Sequence, residues 1–241
     1  MPNGTNGDDN LGGTAGNDVF SAYDGNDTVW GHEGDDWVSA GNGDDLFIGG
    51  AGSDTFWGGA GTDVAYFHTS TAGVKIYLNY DWAVSEHVSD YLYETENALG
   101  SNHDDIIVGD EFGNYLNGIG GNDLIIGGDG YDTLYGGAGA DRFHFAAASE
   151  AYGDRIEDFK WGEGDLIDLA AIDAVASRAG DQAFTWKGHT SAALGEGELG
   201  IVMSSDGNTA YVFGNVNADS TYEVVLTITG SHLLQSYDFA L

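Results

Sequence analysis

Aspartate stands at every ninth residue over the first quarter of the chain, at Asp9, Asp18, Asp27, Asp36, Asp45, Asp54 and Asp63. Two residues before each is a glycine (Gly7, Gly16, Gly25, Gly34, Gly43, Gly52, Gly61), and two residues after each is an apolar residue (Leu11, Phe20, Val29, Val38, Phe47, Phe56, Ala65). Three positions matched seven times in succession define a nine-residue repeat over residues 4–66. A second block, 100–144, keeps the register with Asp105, Asp123, Asp132 and Asp141 and with Ile107, Leu116, Ile125, Leu134 and Phe143. One unit there, 109–117, is defective: Phe112 replaces the glycine and Asn114 the aspartate. Glycine is needed where backbone takes positive φ or approaches another group closely, so the first half of each unit reads as a tight turn whose carbonyls are free to face inward. The second half reads as a short strand with one inward side chain. The chemistry on offer is that of oxygen donors, carbonyl and carboxylate, returned to the same place at a fixed period. A single Asp-containing turn needs no more explanation than bonds to its own backbone. Eleven at one period point to a shared task.

The units match G-G-x-G-x-D-x-U-x and so resemble the calcium-binding nonapeptide of RTX (repeats-in-toxin) proteins. The resemblance implies an all-β fold, a parallel β-roll in which two units make one coil and calcium sits between loops stacked two units apart. On that reading Asp9, Asp27, Asp45 and Asp63 stack on one flank and Asp18, Asp36 and Asp54 on the other. In the second block Asp105, Asp123 and Asp141 stack on one flank, and Asn114 and Asp132 on the other. Carbonyls plus one carboxylate per loop give the six or so hard oxygens that Ca2+ takes, at about eight sites. The site between Asn114 and Asp132 is expected to be the weakest, because Asn114 lacks a charge.

Composition agrees. Forty acidic residues against six basic ones give a net charge of −34, which opposes compaction unless cations are present. Without calcium the repeats should behave as an acidic, glycine-rich disordered chain. Nucleic acid and anionic membrane surfaces are excluded as partners, since both need a basic footprint. No apolar run is long enough to span a membrane, and nothing amphipathic suggests membrane insertion. The absence of cysteine leaves calcium as the staple in place of disulfides. The opening "MPNGTNGDDN" has neither the basic region nor the apolar stretch of a Sec-type signal peptide. The terminal "LLQSYDFAL" is similar to the uncleaved C-terminal signal of bacterial type I (ABC-exporter) substrates; it reads equally as a last strand packing apolar residues.

Between the blocks, "GVKIYLNYDWAVSEHVSDYLYETENALGS" alternates Val74, Ile76 and Leu78 on one face, a strand signal. Its end, "TENALGS", is similar to the "IENVxGS" by which RTX proteins re-enter the roll. After the second block, "YGDRIEDFKWGEGDLIDLAAIDA" resembles the C-terminal domain of serralysin-type metalloproteases, shared with related lipases and mannuronan epimerases. Short strands are expected at 154–159, 165–169, 182–187, 198–204, 208–214 and 222–229, with a brief helix at 170–178 started near Asp168 or Asp173. The expected organisation is a first β-roll block at 1–66, a β-hairpin connector at 67–99, a second block at 100–144 and a C-terminal antiparallel β capping domain at 145–241 that carries the secretion signal.

Catalytic patterns are missing. "HEGDD" at His32 lacks the second histidine of H-E-x-x-H, no G-x-S-x-G elbow exists, and the histidines have no zinc-ligand spacing. Adjacent carboxylates such as Asp8 and Asp9, Asp35 and Asp36, and Asp44 and Asp45 recur with the repeat, which fits metal ligation and solvated turns better than a hydrolase dyad. Outward positions carry large apolar side chains, mostly aromatic: Trp30, Ile48 and Tyr66 in one row, Trp37 and Trp57 in the other. The sequence thus points to a secreted, extracellular calcium-binding protein or module without catalysis, folding after type I export. The alternative is a calcium-dependent carbohydrate-binding or adhesion module, with an extracellular polysaccharide as partner.

Overall fold

The computed structural model describes residues 3–85, 88–217, 219–230 and 233–241; Glu86 and His87 of the connector lie outside them. Successive repeat units alternate between two sheets. One has twelve strands, in the order Asn10–Gly12, Thr28–Glu33, Leu46–Ala51, Val64–Tyr66, Asn97–Leu99, Tyr115–Asn117, Thr133–Tyr135, Tyr152–Ile156, Val224–Thr229, Thr209–Asn215, Glu198–Met203 and Thr185–His189. The other has eleven: Val19–Asp24, Trp37–Asn42, Thr55–Ala60, Val88–Tyr93, Trp82–Ser85, Val74–Tyr77, Ile106–Val108, Leu124–Ile126, Arg142–His144, Leu166–Asp168 and Phe239–Ala240. Pairing within the blocks is parallel and in the expected register, with Phe20 opposite Val38 and Val29 opposite Phe47. This is a β-roll with no α-helix among the described residues; only Leu78–Tyr80 and Ser236–Asp238 form single 3₁₀ turns. No helix among them is long and apolar enough to cross a membrane.

The roll forms because each unit has one apolar side chain to bury and cannot bury it alone. The position-eight residues face one another between the sheets: Phe20, Val29, Val38, Phe56 and Ala65 in the first block and Ile107, Leu116, Ile125, Leu134 and Phe143 in the second are all fully buried. Phe47 and Phe56, from opposite sheets, stack with centroids 4.9 Å apart and planes 4° from parallel. The strands of the second block have the expected three residues. Those between Val19–Asp24 and Thr55–Ala60 run six, because pairing continues past the core residue into the next turn, Tyr23 opposite Gly41 and His32 opposite Gly50.

The 67–99 segment joins the two blocks into one stack. Asn97–Leu99 lies between Val64–Tyr66 and Tyr115–Asn117, parallel to both. In the other sheet Val88–Tyr93 pairs with Thr55–Ala60, Trp82–Ser85 follows antiparallel, and Val74–Tyr77 pairs onward with Ile106–Val108. Both sheets therefore cross the interruption without an unpaired edge, the feature that exposes a sheet to aggregation.

Beyond the second block, strands form near the six expected places. Glu198–Met203, Thr209–Asn215 and Val224–Thr229 pair antiparallel as expected, while Val224–Thr229 joins Tyr152–Ile156 and Thr185–His189 joins Glu198–Met203 in parallel. The helix expected at 170–178 does not form; the segment is a run of turns and bends. Its backbone donors are spent elsewhere, Ala174 N–H on Gln182 and Ala176 N–H on Val216. Carboxylates compete as well: Asp168 accepts from Ala170 N–H and Asp173 from Val175 N–H, local bonds that replace the helical ladder. The C-terminal Phe239–Ala240 pairs with Leu166–Asp168 and Phe239 is buried, so the tail is the last strand of its sheet.

The two outward aromatic rows differ. Ile48 is buried, and His68 packs between Trp30 (edge-on, 5.6 Å) and Tyr66 (4.6 Å), so the segment after Tyr66 covers that row. Trp37 and Trp57 stay exposed, at 42% and 40%. The core analysis carries a direct expectation. In calcium, Phe56→Ala should cost about 3–5 kcal/mol in denaturant unfolding, because a ring stacked across the roll leaves a cavity that rigid neighbours cannot close. Phe112→Ala, 63% exposed, should stay within about 0.5 kcal/mol.

Candidate metal centre

Beyond the first layer of each flank, a repeat aspartate uses its Oδ1 to accept the backbone N–H of a residue one layer earlier. Asp9 N–H donates to Asp27, Asp27 to Asp45 and Asp45 to Asp63 at 2.7–2.8 Å. On the opposite flank Asp18 donates to Asp36 and Asp36 to Asp54. The second block repeats the pattern, Asp105 to Asp123 to Asp141 and Asn114 to Asp132. The structure thus brings together, two units apart, the aspartates that the sequence placed on common flanks.

The other oxygen, Oδ2, divides the units into two kinds. In Asp9, Asp18 and Asp105 it accepts the N–H of the unit's second residue, Thr5, Thr14 or Ser101, at 2.6 Å. In the defective unit Asn114 Oδ1 accepts Asp110 N–H in the same way. These are turns satisfied by their own backbone. In Asp27, Asp36, Asp45, Asp54, Asp63, Asp123, Asp132 and Asp141, Oδ2 is buried and has no hydrogen-bond partner. The second residue of every one of those units, and of none of the self-satisfied ones, has positive φ: Tyr23, His32, Gly41, Gly50, Gly59, Ile119, Gly128 and Gly137. The left-handed residue takes its N–H out of reach of the carboxylate. Tyr23, His32 and Ile119 adopt this conformation without being glycine, at φ 82°, 77° and 76°, a cost that persists only where the surroundings impose it.

A buried carboxylate oxygen without a partner is a costly arrangement unless a cation completes it. Glycine at the start of a unit makes room for the carboxylate itself: a Cβ on Gly31 would lie 2.2 Å from Asp36 Oδ2, and one on Gly118 2.0 Å from Asp123 Oδ2. No three His, Cys, Asp or Glu side chains converge among the described residues, which leaves backbone carbonyls and single carboxylates as the donors. That donor set, all oxygen and irregular, suits Ca2+.

Electrostatics point the same way. Burial, with carboxylates in neighbouring layers adding to it, pushes Asp45 and Asp141 up to about 6, Asp54, Asp63 and Asp132 to about 7 and Asp123 to about 8. Asp18, bonded by the Thr14 amide and hydroxyl, is held below the usual range.

Four residues outside the repeats extend the ladders and were not singled out in the sequence. Asp90 accepts Asp54 N–H, Glu96 accepts Asp63 N–H, Asp154 accepts Asp132 N–H and Asp165 accepts Asp141 N–H, at 2.8–3.1 Å. Asp154 is fully buried, its Oδ2 is unpartnered and burial lifts it to about 8. Asp90 lies 36 residues after Asp54, a multiple of the period, and that signal was available; the spacings of 33, 22 and 24 for the others carried none. At the last layer the half-exposed Lys160 ammonium bonds the Gly137 carbonyl, a cation of the chain itself beside the end of the ladder.

Fold and donor set together define a calcium-binding β-roll. Residues 3–38, 30–65, 99–134 and 117–147 match the family model of the RTX calcium-binding nonapeptide repeat, and these segments of the chain belong to that family. Among solved structures, the chain is similar to the AlgE6R3 subunit of the Azotobacter vinelandii mannuronan C5-epimerase, with 25% identity over 60% of this chain and 76% of that one and a TM-score of 0.44. It is also similar to the extracellular lipase LipA of Serratia marcescens, with 14% identity over 99% of this chain and 39% of that one and a TM-score of 0.31. A comparison with curated proteins finds no match.

The raised carboxyls set a pH dependence whose sign is fixed. A carboxyl pushed up in the folded state stabilises it below the ordinary value of 3.8 and loses that contribution as pH rises through 6 to 8. In EGTA, the β signal in far-UV circular dichroism should therefore be stronger at about pH 5 than at about pH 8, whereas in calcium the ion concentration needed should rise as pH falls, since protons compete for the same oxygens. An ion-free signal that stays constant across this range would contradict the reading.

Proposed function

We propose that the chain is a secreted, extracellular calcium-binding β-roll module, without catalysis of its own, that folds as Ca2+ fills its stacked turns after export by a type I (ABC) machinery. The observation that carries this reading is the match between positive φ at the second residue and an unpartnered Oδ2 in the same unit. Aspartates 27, 36, 45, 54, 63, 123, 132 and 141 are then the principal ligands, about eight ions in all. Asp9, Asp18 and Asp105, with their self-satisfied turns, contribute less. Sites of the extracellular class, with Kd of about 10⁻⁴ to 10⁻³ M, stay empty in a cytosol and fill outside, so the chain is pliable for export and folds on the far side. The buried C-terminal strand is compatible with an export signal, because a signal is read before the roll closes.

Two experiments test this. Far-UV circular dichroism near neutral pH in EGTA should show a largely disordered repeat region, millimolar Ca2+ should restore the β signal, and Mg2+ should do so poorly because it gives up water reluctantly. A spectrum indifferent to chelation would overturn the proposal. Asp36, with Asp18 on one side and Asp54 on the other, faces two sites at once. Asp36→Ala should shift the calcium midpoint of thermal stability upward several-fold. Asn114→Ala should follow the parent closely, since Asn114 Nδ2 already occupies the Glu96 carbonyl. Equal effects would mean that the stacking assignment is wrong.

A second reading has its own observation. Trp37, Trp57 and Tyr91 remain exposed on one face of the roll, while the row of Trp30 and Tyr66 is covered. That contrast supports a carbohydrate-binding role, with an extracellular polysaccharide as partner.

A further inference from the structure

The outer face of the eleven-stranded sheet carries an open cleft of about 340 Å³. Its floor is Ser21 and Ser39, register partners on neighbouring strands. One side is a polar clasp: Asn6 Nδ2 donates to Asp24 Oδ2 at 3.0 Å and Asn42 Nδ2 donates to Asp24 Oδ1 at 2.6 Å. Each amide spends one N–H on the carboxylate and, among the described residues, keeps its oxygen and a second N–H unspent. Tyr23, 48% exposed, lines the same cleft.

Next to the floor stands an aromatic wall. Ser39 is in register with Trp57, and Trp57 with Tyr93 on the strand beyond. The Trp57 and Tyr93 rings lie 4.4 Å apart, and Tyr93 is parallel to Tyr91 within 3°. Tyr93 therefore covers Trp57 on one side. On the other side its register neighbours are Ser39 and then Ser21, which line the cleft and are too small to cover an indole. The excursion strand Val88–Tyr93 supplies half of this wall, so the platform exists only because the repeat is interrupted.

We propose that this cleft binds an uncharged pyranose chain, the sugar lying against Trp57 and its hydroxyls bonding Asp24, Asn42 and Asn6; the inference rests on the carbohydrate-binding reading above and gives it a site and a ligand class. An aromatic residue next to the Ser39 floor, with a carboxylate clasped between two amides three residues further along the strands, suits an extended ligand with one apolar face and a rim of hydroxyls. The charge decides the class. Residues 1–74 contain no Lys or Arg and the chain carries −34, so a uronate or sulfated chain would meet Asp24 and the surrounding field unpaired. Backbone conformation adds a link to the metal sites. Tyr23 is the left-handed second residue of the unit whose Asp27 Oδ2 is open, so the conformation that frees a metal ligand also stands Tyr23 at the cleft.

Tryptophan fluorescence and calorimetric titrations in millimolar Ca2+ test this with cellopentaose, xylopentaose, laminaripentaose and mannopentaose as uncharged probes and a mannuronate pentamer as the charged one. At least one uncharged probe should bind saturably and the uronate should not. Trp57→Ala and Asn42→Ala should each weaken binding about tenfold, the loss expected for one good contact. Trp30→Ala, on the covered row, should leave it unchanged. Ser39→Phe fills the floor without removing a contact and should abolish binding; calcium-dependent circular dichroism establishes that each variant folds. Failure of every uncharged probe, preference for the uronate, or parental binding by folded Trp57→Ala and Ser39→Phe would each overturn the proposal. Binding that survives EGTA would leave the cleft standing and overturn calcium-driven folding instead.

Discussion

The structure turns on a carboxylate with one oxygen bonded and one left open. Oδ1 ties each layer to the one before it through a backbone N–H, and Oδ2 is buried without a donor in eight repeat units. A fold that repeats this arrangement accumulates uncompensated negative charge along both flanks, and no contact in the protein interior removes it. The apolar core cannot offset that alone: each nine-residue unit buries one position-eight side chain, in one unit only Ala65. Calcium, the ion that RTX nonapeptides bind, supplies what both shortages need, a counter-charge and a cross-link between layers.

Basic residues are placed where the array ends. Arg142 and His144 hold Asp168, Arg155 pairs with Glu157, and Lys160 bonds Gly137 and lies near Glu163. Four of the six Lys and Arg residues lie between Arg142 and Arg178, and none precedes Lys75. One end of the roll thus has protein cations beside its last carboxylates, while the first block has neither Lys nor Arg. The antiparallel strands after residue 197 and the last strand, Phe239–Ala240, continue the two sheets at that same end.

Much of this was legible in the sequence because the repeat imposes it. Period nine gave the repeat and the position-eight core, and the resemblance to RTX nonapeptides that it carries implied the parallel register and the two flanks. The division of aspartates into open and self-satisfied was within reach as well, since Thr5, Thr14 and Ser101 mark one class and Gly41, Gly50 and Gly59 the other. It remained hidden because Tyr23, His32 and Ile119 take positive φ against their intrinsic preference, held there by neighbouring layers. Glu96, Asp154 and Asp165 reach the ladders from irregular spacings, which only the path of the chain determines. The helix expected at 170–178 failed because tertiary partners and Asp side chains claimed its backbone donors.

The central claim is that a left-handed second residue opens a carboxylate oxygen to an ion. The most direct measurement is a crystal structure grown in calcium, with anomalous scattering used to locate every ion. The account predicts density at about 2.3–2.6 Å from Oδ2 of Asp27, Asp36, Asp45, Asp54, Asp63, Asp123, Asp132 and Asp141, and none on the Asn114 side chain. Ions placed without regard to the conformation of the second residue, or open oxygens that bind only water, would contradict it.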